Sequence, residues 1–292
     1  MGVKPIVVGT DGSSQSLRAV EWAAVEAMLH DAPLRIVSAL DLPARPDPEW
    51  TRGPGTGSVA ETAEKALDAA AERADLVAPG LIVDARLVIG KPAQVLADAA
   101  AAAAMRVVGS QGAGNLTPFG SVSRHLAMNP PCPVVIERAE AERPLGRVVV
   151  GVHELDDSAA ALAFAFDEAS LYGAHLLAVH AWFWFRPTIG PVSGDRLGTD
   201  PRRVSSEALA RLHQLLRPWR EKYPDVEVGE QVVHARPGHA LAAASAGADL
   251  VVLGSNGQHG HEAVAGPVIH ALLRHAHCPV AVVPATERRW TR

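Results

Sequence analysis

The sequence predicts an α/β protein built as two tandem doubly wound domains, each a five-stranded parallel sheet flanked by helices. Three observations carry this expectation. Sequence blocks recur in the same order in both halves, short apolar runs alternate with helical stripes, and 292 residues suffice for two domains of about 150 residues each.

The repeat comes first. Ile6-Val7-Val8-Gly9 opens the first half, and Val148-Val149-Val150-Gly151 opens the second, 142 positions later. Val107-Val108-Gly109-Ser110 recurs as Val252-Leu253-Gly254-Ser255, and Pro131-Cys132-Pro133-Val134 as His277-Cys278-Pro279-Val280. Between the halves, Arg138 to Gly146 is charged and contains Pro144, which reads as a linker and sets the domains at 1–140 and 146–286.

Strand candidates in the first half are residues 5–10, 34–40, 81–89, 106–110 and 133–137. They are apolar without alternation, as in parallel strands covered on both faces. Helical spacing links Val59, Ala63, Ala66, Ala70, Ala74 and Val77 in the first half, and Val204, Ala208, Leu212, Leu215 and Trp219 in the second. About five strands and four helices per half make a doubly wound sheet, whose ligands bind outside the carboxyl ends of the strands where strand order reverses. The ends of strands one and four are therefore the places to search.

Composition narrows the function classes. The net charge of −5, with both signs interspersed, argues against a nucleic-acid partner. The one basic cluster, Arg288, Arg289 and Arg292, reads as a solvated tail. The start MGVKPIVVGT enters a strand directly, and the alanine-rich stretch from Ala97 to Met105 is interrupted by Asp98 and too short for a membrane span. Two cysteines make no disulfide framework, so the expectation is a soluble cytoplasmic protein.

After the first strand comes Gly9-Thr10-Asp11-Gly12-Ser13-Ser14. Asp11 is placed to accept hydrogen bonds from a ribose or an adenine amine, or to serve only as a turn residue; Ser13 or Ser14 can cap the next helix. After the fourth strand, a glycine-rich loop from Gly109 through Gly112 and Gly114 to Gly120-Ser121-Val122-Ser123-Arg124 runs into a helix. Glycines admit an anion close to backbone N–H groups, and the helix start adds free N–H groups and a positive dipole end. Ser121 is expected at the N-cap, with Arg124 one turn on. No lysine completes a Walker pattern, and the first turn lacks the dinucleotide fingerprint.

Gly-Thr-Asp-Gly-Ser after strand one, Gly90-Lys91-Pro92 after strand three, the Gly109, Gly112 and Gly120-Ser121 series after strand four, and Cys-Pro-Val before the last strand together resemble the universal stress proteins, across both halves. The resemblance implies a Rossmann-like sheet of the adenine nucleotide alpha hydrolase type, dimerisation through the last strand and, in one branch, ATP binding. In that branch a Gly-x-x-Gly, nine residues, Gly-Ser/Thr motif wraps ribose and phosphates. Here seven residues separate Gly112 from Gly120, and Pro118 stiffens the loop. The first-half set implied to hold nucleotide is Gly9, Thr10, Asp11, Gly109, Gly112, Gly120, Ser121, Val122 and Ser123. Its second-half counterpart is Gly151, Gly254, Gly257 and Gly266, weakened because His153 replaces the aspartate and Pro267 offers neither hydroxyl nor N–H.

Three further features invite a function. His259, His261, His270, His275 and His277 crowd the second half, without a carboxylate or cysteine at ligand spacing. Cys132 and Cys278 are repeat-related and read as buried thiols, neighbours should the last strands meet. Trp182-Phe183-Trp184-Phe185 reads as part core and part cover for the ligand cleft.

The expected function is stress-response regulation through ATP or another adenine nucleotide, mainly in domain 1, with magnesium an open option. A homodimer and a regulatory protein partner are expected, and a membrane partner is not. The alternative is a nucleotide-free interaction module. No nucleophile–base pair, Gly-x-Ser-x-Gly or His-Glu-x-x-His motif argues for an enzyme beyond incidental ATP hydrolysis.

Overall fold

The computed structural model describes residues 3–41, 54–99, 103–112, 120–128, 130–138, 145–153, 158–183, 200–255 and 265–285. The chain divides into two compact units, residues 1–139 with 279–292, and residues 140–278. The first repeat runs β1 (Ile6–Gly9), α1 (Ser14–Leu29), β2 (Leu34–Leu40), α2 (Pro54–Val77), β3 (Val83–Ile89), α3 (Pro92–Ala99), β4 (Met105–Gly109), α4 (Ser121–Met128) and β5 (Val134–Glu137). The second runs β6 (Arg147–Gly151), α5 (Ala159–Tyr172), β7 (His175–Trp182), α6 (Pro201–Lys222), β8 (Val228–His234), α7 (Pro237–Ser245), β9 (Leu250–Gly254), α8 (Ala265–His275) and β10 (Val280–Val283).

In unit 1 the strands lie in the order β3-β2-β1-β4-β5 and are all parallel. β10 joins β5 antiparallel, so the last strand of the second repeat packs with the first unit. In unit 2 the order β9-β6-β7-β8 repeats the parallel arrangement. The chain winds outward from β1 to β3 and then returns to β4 on β1's other side. That reversal opens a crevice at the carboxyl ends of β1 and β4.

The apolar runs became strands because helices cover both their faces. β1, β5 and β10 are buried along their whole length. β3 and β8 form the outer strands and alternate between partly buried and exposed residues. On β3 the charges blunt the edge. Asp84 takes the Arg35 Nε at 2.9 Å and the Arg86 Nη2 at 2.8 Å. These partners, with the Arg86 hydrogen bond the largest cause, hold its carboxyl below the ordinary value.

The helical stripes are shifted slightly from the expected ones. On α2 the buried line is Leu67, Ala70 and Ala74, continued by Ala78 just past its end, while Val77 is 37% exposed. On α6 Leu212 and Leu216 are buried, rather than Leu215. Phe166 of α5 is fully buried and stacks on Trp219 and Tyr223, with ring centroids 5.6 and 5.3 Å away. The Tyr223 hydroxyl donates to Asp167.

The β5–β10 register pairs Val280 with Ile136 and Val282 with Val134. The residues preceding the two strands therefore lie at opposite ends of the ladder. The last strands do meet, but the antiparallel register keeps Cys132 and Cys278 from being neighbours, and both cysteines are buried. No helix among the described residues is long and apolar enough to cross a membrane.

Phe166→Ala should lower unit 2 stability by about 3–5 kcal/mol, the usual cost of emptying a phenylalanine site. Urea titration followed by tryptophan fluorescence measures it, and a change below about 1 kcal/mol would show that the stack is not part of the core. The Asp84 contribution has a defined pH window. A lowered folded value stabilises above the ordinary carboxylate pKa of 3.8 and fades as pH falls through the folded one. Asp84→Asn should lower the urea midpoint at neutral pH, and the gap should close in strong acid.

Candidate functional site

The turn after β1 is fixed by its own side chains. Ser16 Oγ donates to the Ser13 carbonyl at 3.0 Å, so the Thr10 hydroxyl is the donor in the 3.1 Å contact between Thr10 and Ser16. Ser16 Oγ also accepts the Asp11 N–H, and Thr10 Oγ1 accepts that of Gly12. Ser13 caps α1 by accepting from Ser16 N. Gly12 has φ +77, a conformation that disfavours a side chain, and a Cβ there would meet Ala66 Cβ at 2.8 Å. Thr10, 6% exposed, is thus committed to the turn.

Asp11 is exposed, and its Oδ1 accepts the Ser13 N–H at 3.0 Å. Its other oxygen faces the β4 loop: a Cβ on Gly112 would lie 2.7 Å from Asp11 Oδ2. The two loops also meet through backbone. A Cβ on Gly109 would lie 3.0 Å from the Gln15 carbonyl oxygen and 3.2 Å from Ser16 N, atoms that cannot step aside as a side chain can. The Gln15 amide donates to the Gln111 side chain at 3.2 Å across the same seam.

The far end of the β4 loop is closed by hydrogen bonds. Gly120 N–H donates to the Ser110 carbonyl at 2.8 Å. Ser123 Oγ, only 1% exposed, contacts the carbonyls of Ser110 at 3.2 Å and Gly120 at 3.0 Å. Its one proton is shared between them, so Ser123 closes the loop. The first helical bond runs from Arg124 N to Gly120 O, which makes Gly120 the cap and moves Ser121 one place inside the helix. Ser121 is exposed, and the first N–H groups of α4 have no partner within the helix. Arg124 is exposed and is not part of the cleft lining.

Together these elements enclose a cleft of about 420 Å³, within the range typical of small-molecule sites. All nine first-half residues singled out from the sequence line it: Gly9, Thr10, Asp11, Gly109, Gly112, Gly120, Ser121, Val122 and Ser123. The sequence reading missed the apolar wall of Val37, Ala39, Leu96 and Val108, and quoted its fifth member, Pro92, only as part of the Gly90-Lys91-Pro92 block. Val37 stands beside Gly9 in register, so the signal was present in the strand pairing and not in any motif. Gly9 itself has a packing reason: a Cβ there would meet Leu96 Cδ1 at 2.7 Å. Gly151 repeats this against Leu241 at 2.8 Å.

In unit 2, Gly151 and Gly254 end β6 and β9, Gly266 is buried in the first turn of α8, and His153 is exposed. Gly257, His259 and His261 lie outside the described residues, as do the loop stretch from Ala113 to Phe119 and the tail arginines. His270, His275 and His277 do not gather as a metal-ligand group among the described residues. Trp182 stacks on the His234 ring at 4.2 Å, and its indole N–H donates to Ser205. Phe183 is 44% exposed with the Arg236 guanidinium 5.3 Å above its ring, while Trp184 and Phe185 lie outside the described residues.

A repeated doubly wound sheet with its crevice at the switch point defines a tandem α/β protein. The Universal stress protein family matches residues 2–138 and 144–284, and the chain belongs to that family. A universal stress protein of Mycobacterium tuberculosis is 37% identical over 294 residues, covering 95% of this chain and 96% of the relative. One from Mycolicibacterium smegmatis is 34% identical over 293 residues, with the same coverage. Among solved structures, a universal stress protein from Archaeoglobus fulgidus shares the fold, with a TM-score of 0.71 at 18% identity over 98% of each chain.

The two serines at the start of α4 should separate by experiment. Ser123→Ala removes a buried donor from two carbonyls and should cost about 1–2 kcal/mol without any ligand present. Ser121→Ala should change stability by less than about 0.5 kcal/mol, as exposed substitutions do. Thermal or urea unfolding of the two variants checks both, and equal effects would contradict the assignment of loop closure to Ser123.

Proposed function

We propose that unit 1 binds an adenine nucleotide, with ATP the leading ligand, and that binding serves regulation rather than turnover. The observation that carries this is the meeting of both strand-end loops in one cleft, with chemically different ends. Asp11 offers a carboxylate oxygen toward hydroxyls or an amine. Ser121 and Val122 offer a helix N-terminus and a hydroxyl toward phosphates. Between them, Val37, Ala39, Leu96 and Val108 give a flat base an apolar wall.

The described lining holds serines, a threonine, the Gln111 amide and one carboxylate, without histidine, lysine or cysteine. That set suits binding better than nucleophilic or acid–base chemistry. Magnesium would arrive with the nucleotide, since one exposed carboxylate alone is a poor site for it. Unit 2 takes the lesser part, because His153 and Pro267 stand where the first repeat has Asp11 and Ser121. The nucleotide's effect then passes to a protein partner or to assembly, by favouring whichever conformation it binds better. β5 already has β4 on one side and β10 on the other, so a second copy of the chain would dock through a different surface.

The test is to denature the purified protein and identify released nucleotide by mass spectrometry, with calorimetric titration of ATP into wild type and Asp11→Ala. The expected result is an adenine nucleotide near one per chain, with affinity at least tenfold weaker in the variant, about the worth of a charge-assisted hydrogen bond. No released nucleotide and no heat on adding ATP would overturn this reading in favour of a nucleotide-free interaction module.

A further inference from the structure

Arg106 is a charged residue in the middle of a buried strand. It is 1% exposed on β4, in register with Val7 and Val134, both fully buried. Nη1 donates to the Leu96 carbonyl at 3.2 Å, in the last turn of α3, while Nε and Nη2 have no hydrogen-bond partner among the described residues. A guanidinium taken from water with the N–H groups of two nitrogens unused is costly, and a helix C-terminal carbonyl compensates it only in part. The fold does not demand it. The second repeat places Val251, also fully buried, opposite Val149 where Arg106 stands opposite Val7.

The location connects this charge to the cleft. Side chains two residues apart on a strand share a face. Arg106 therefore lies on the face of Val108, which lines the cleft, about 7 Å further down the strand. Leu96, whose carbonyl Arg106 holds, lines the cleft as well. The floor of the cleft thus covers a positive charge screened from solvent.

We infer that Arg106 makes the unit 1 cleft selective for anionic occupants, favouring a phosphorylated ligand over its neutral counterpart through its buried field rather than by contact. For the nucleotide itself this rests on the reading given above, and it adds the group that distinguishes nucleotide from nucleoside. A purely structural Arg106, tying α3 to β4, would affect charged and neutral ligands alike.

The experiment uses the full-length protein with Arg106→Val, which copies the second repeat, and Arg106→Lys, which keeps the charge. Arg106→Met, closer in volume, takes the place of valine should that variant fail to show a native circular dichroism spectrum. Calorimetry with ATP and with adenosine gives the affinity ratio, and inorganic triphosphate at fixed ionic strength gives a Tm shift that needs no nucleotide. The expected result is an ATP-to-adenosine ratio reduced about tenfold or more in Arg106→Val, as a charge at this range in a protein interior implies. Adenosine binding should be unchanged and Arg106→Lys should largely keep the ratio. An unchanged ratio, or equal weakening of both ligands, overturns the inference. A wild type that binds neither ATP nor adenosine removes the nucleotide reading alone. Triphosphate then decides: stabilisation of wild type but not of Arg106→Val sustains the field, and the same shift in both, or none in either, overturns it.

Discussion

The close approach of two backbones is the constraint on which the site depends. β1 and β4 are neighbours only because the winding of the sheet reverses between them, and their following loops must then cross one another's space. A Cβ at Gly109 would stand 3.0 Å from the Gln15 carbonyl oxygen, a backbone atom, and one at Gly112 would stand 2.7 Å from Asp11 Oδ2. Given this contact, the Asp11 turn and the start of α4 face a common cleft. A side chain at Gly109 would force the start of α1 and the end of β4 apart by a few tenths of an ångström.

The two repeats show which features belong to the fold and which to the site. The glycine-to-leucine contact at the strand end is present in both, as Gly9 with Leu96 and Gly151 with Leu241. It lets the helix after the third strand of each repeat settle over the sheet. Asp11 against His153, Ser121 against Pro267 and Arg106 against Val251 differ, and all three differences concern charge or hydrogen bonding rather than packing. The first repeat carries polar groups that a sheet does not need, two of them lining one cleft.

Much of this was legible in the sequence, for physical reasons. The strand runs from 34–40 and 133–137 were clear because buried parallel strands carry no polar alternation. The glycines and Asp11 were clear because few residue types tolerate strand-end turns. Helix phase was less clear: Ala66 and Val77 gave way to Leu67 and Ala78, since an alanine-rich stripe leaves the buried direction loosely specified, and Leu215 gave way to its apolar neighbour Leu216. The hydroxyls were the least legible. Ser121 and Ser123 look alike in sequence, but two positions on a helix point in different directions, one to the cleft mouth and one to the loop carbonyls. Arg106 passed unnoticed at the start of an apolar run, and the Val37–Ala39 wall depends on strand register that no local motif records.

The central claim is that an adenine nucleotide occupies the first repeat's cleft and not the second's. Amide hydrogen exchange with and without saturating ATP tests it directly. The account predicts slowed exchange in peptides covering residues 9–13 and 109–123, with residues 151–158 and 254–267 unaffected. Protection confined to the second-repeat peptides, or none anywhere at saturation, would contradict it.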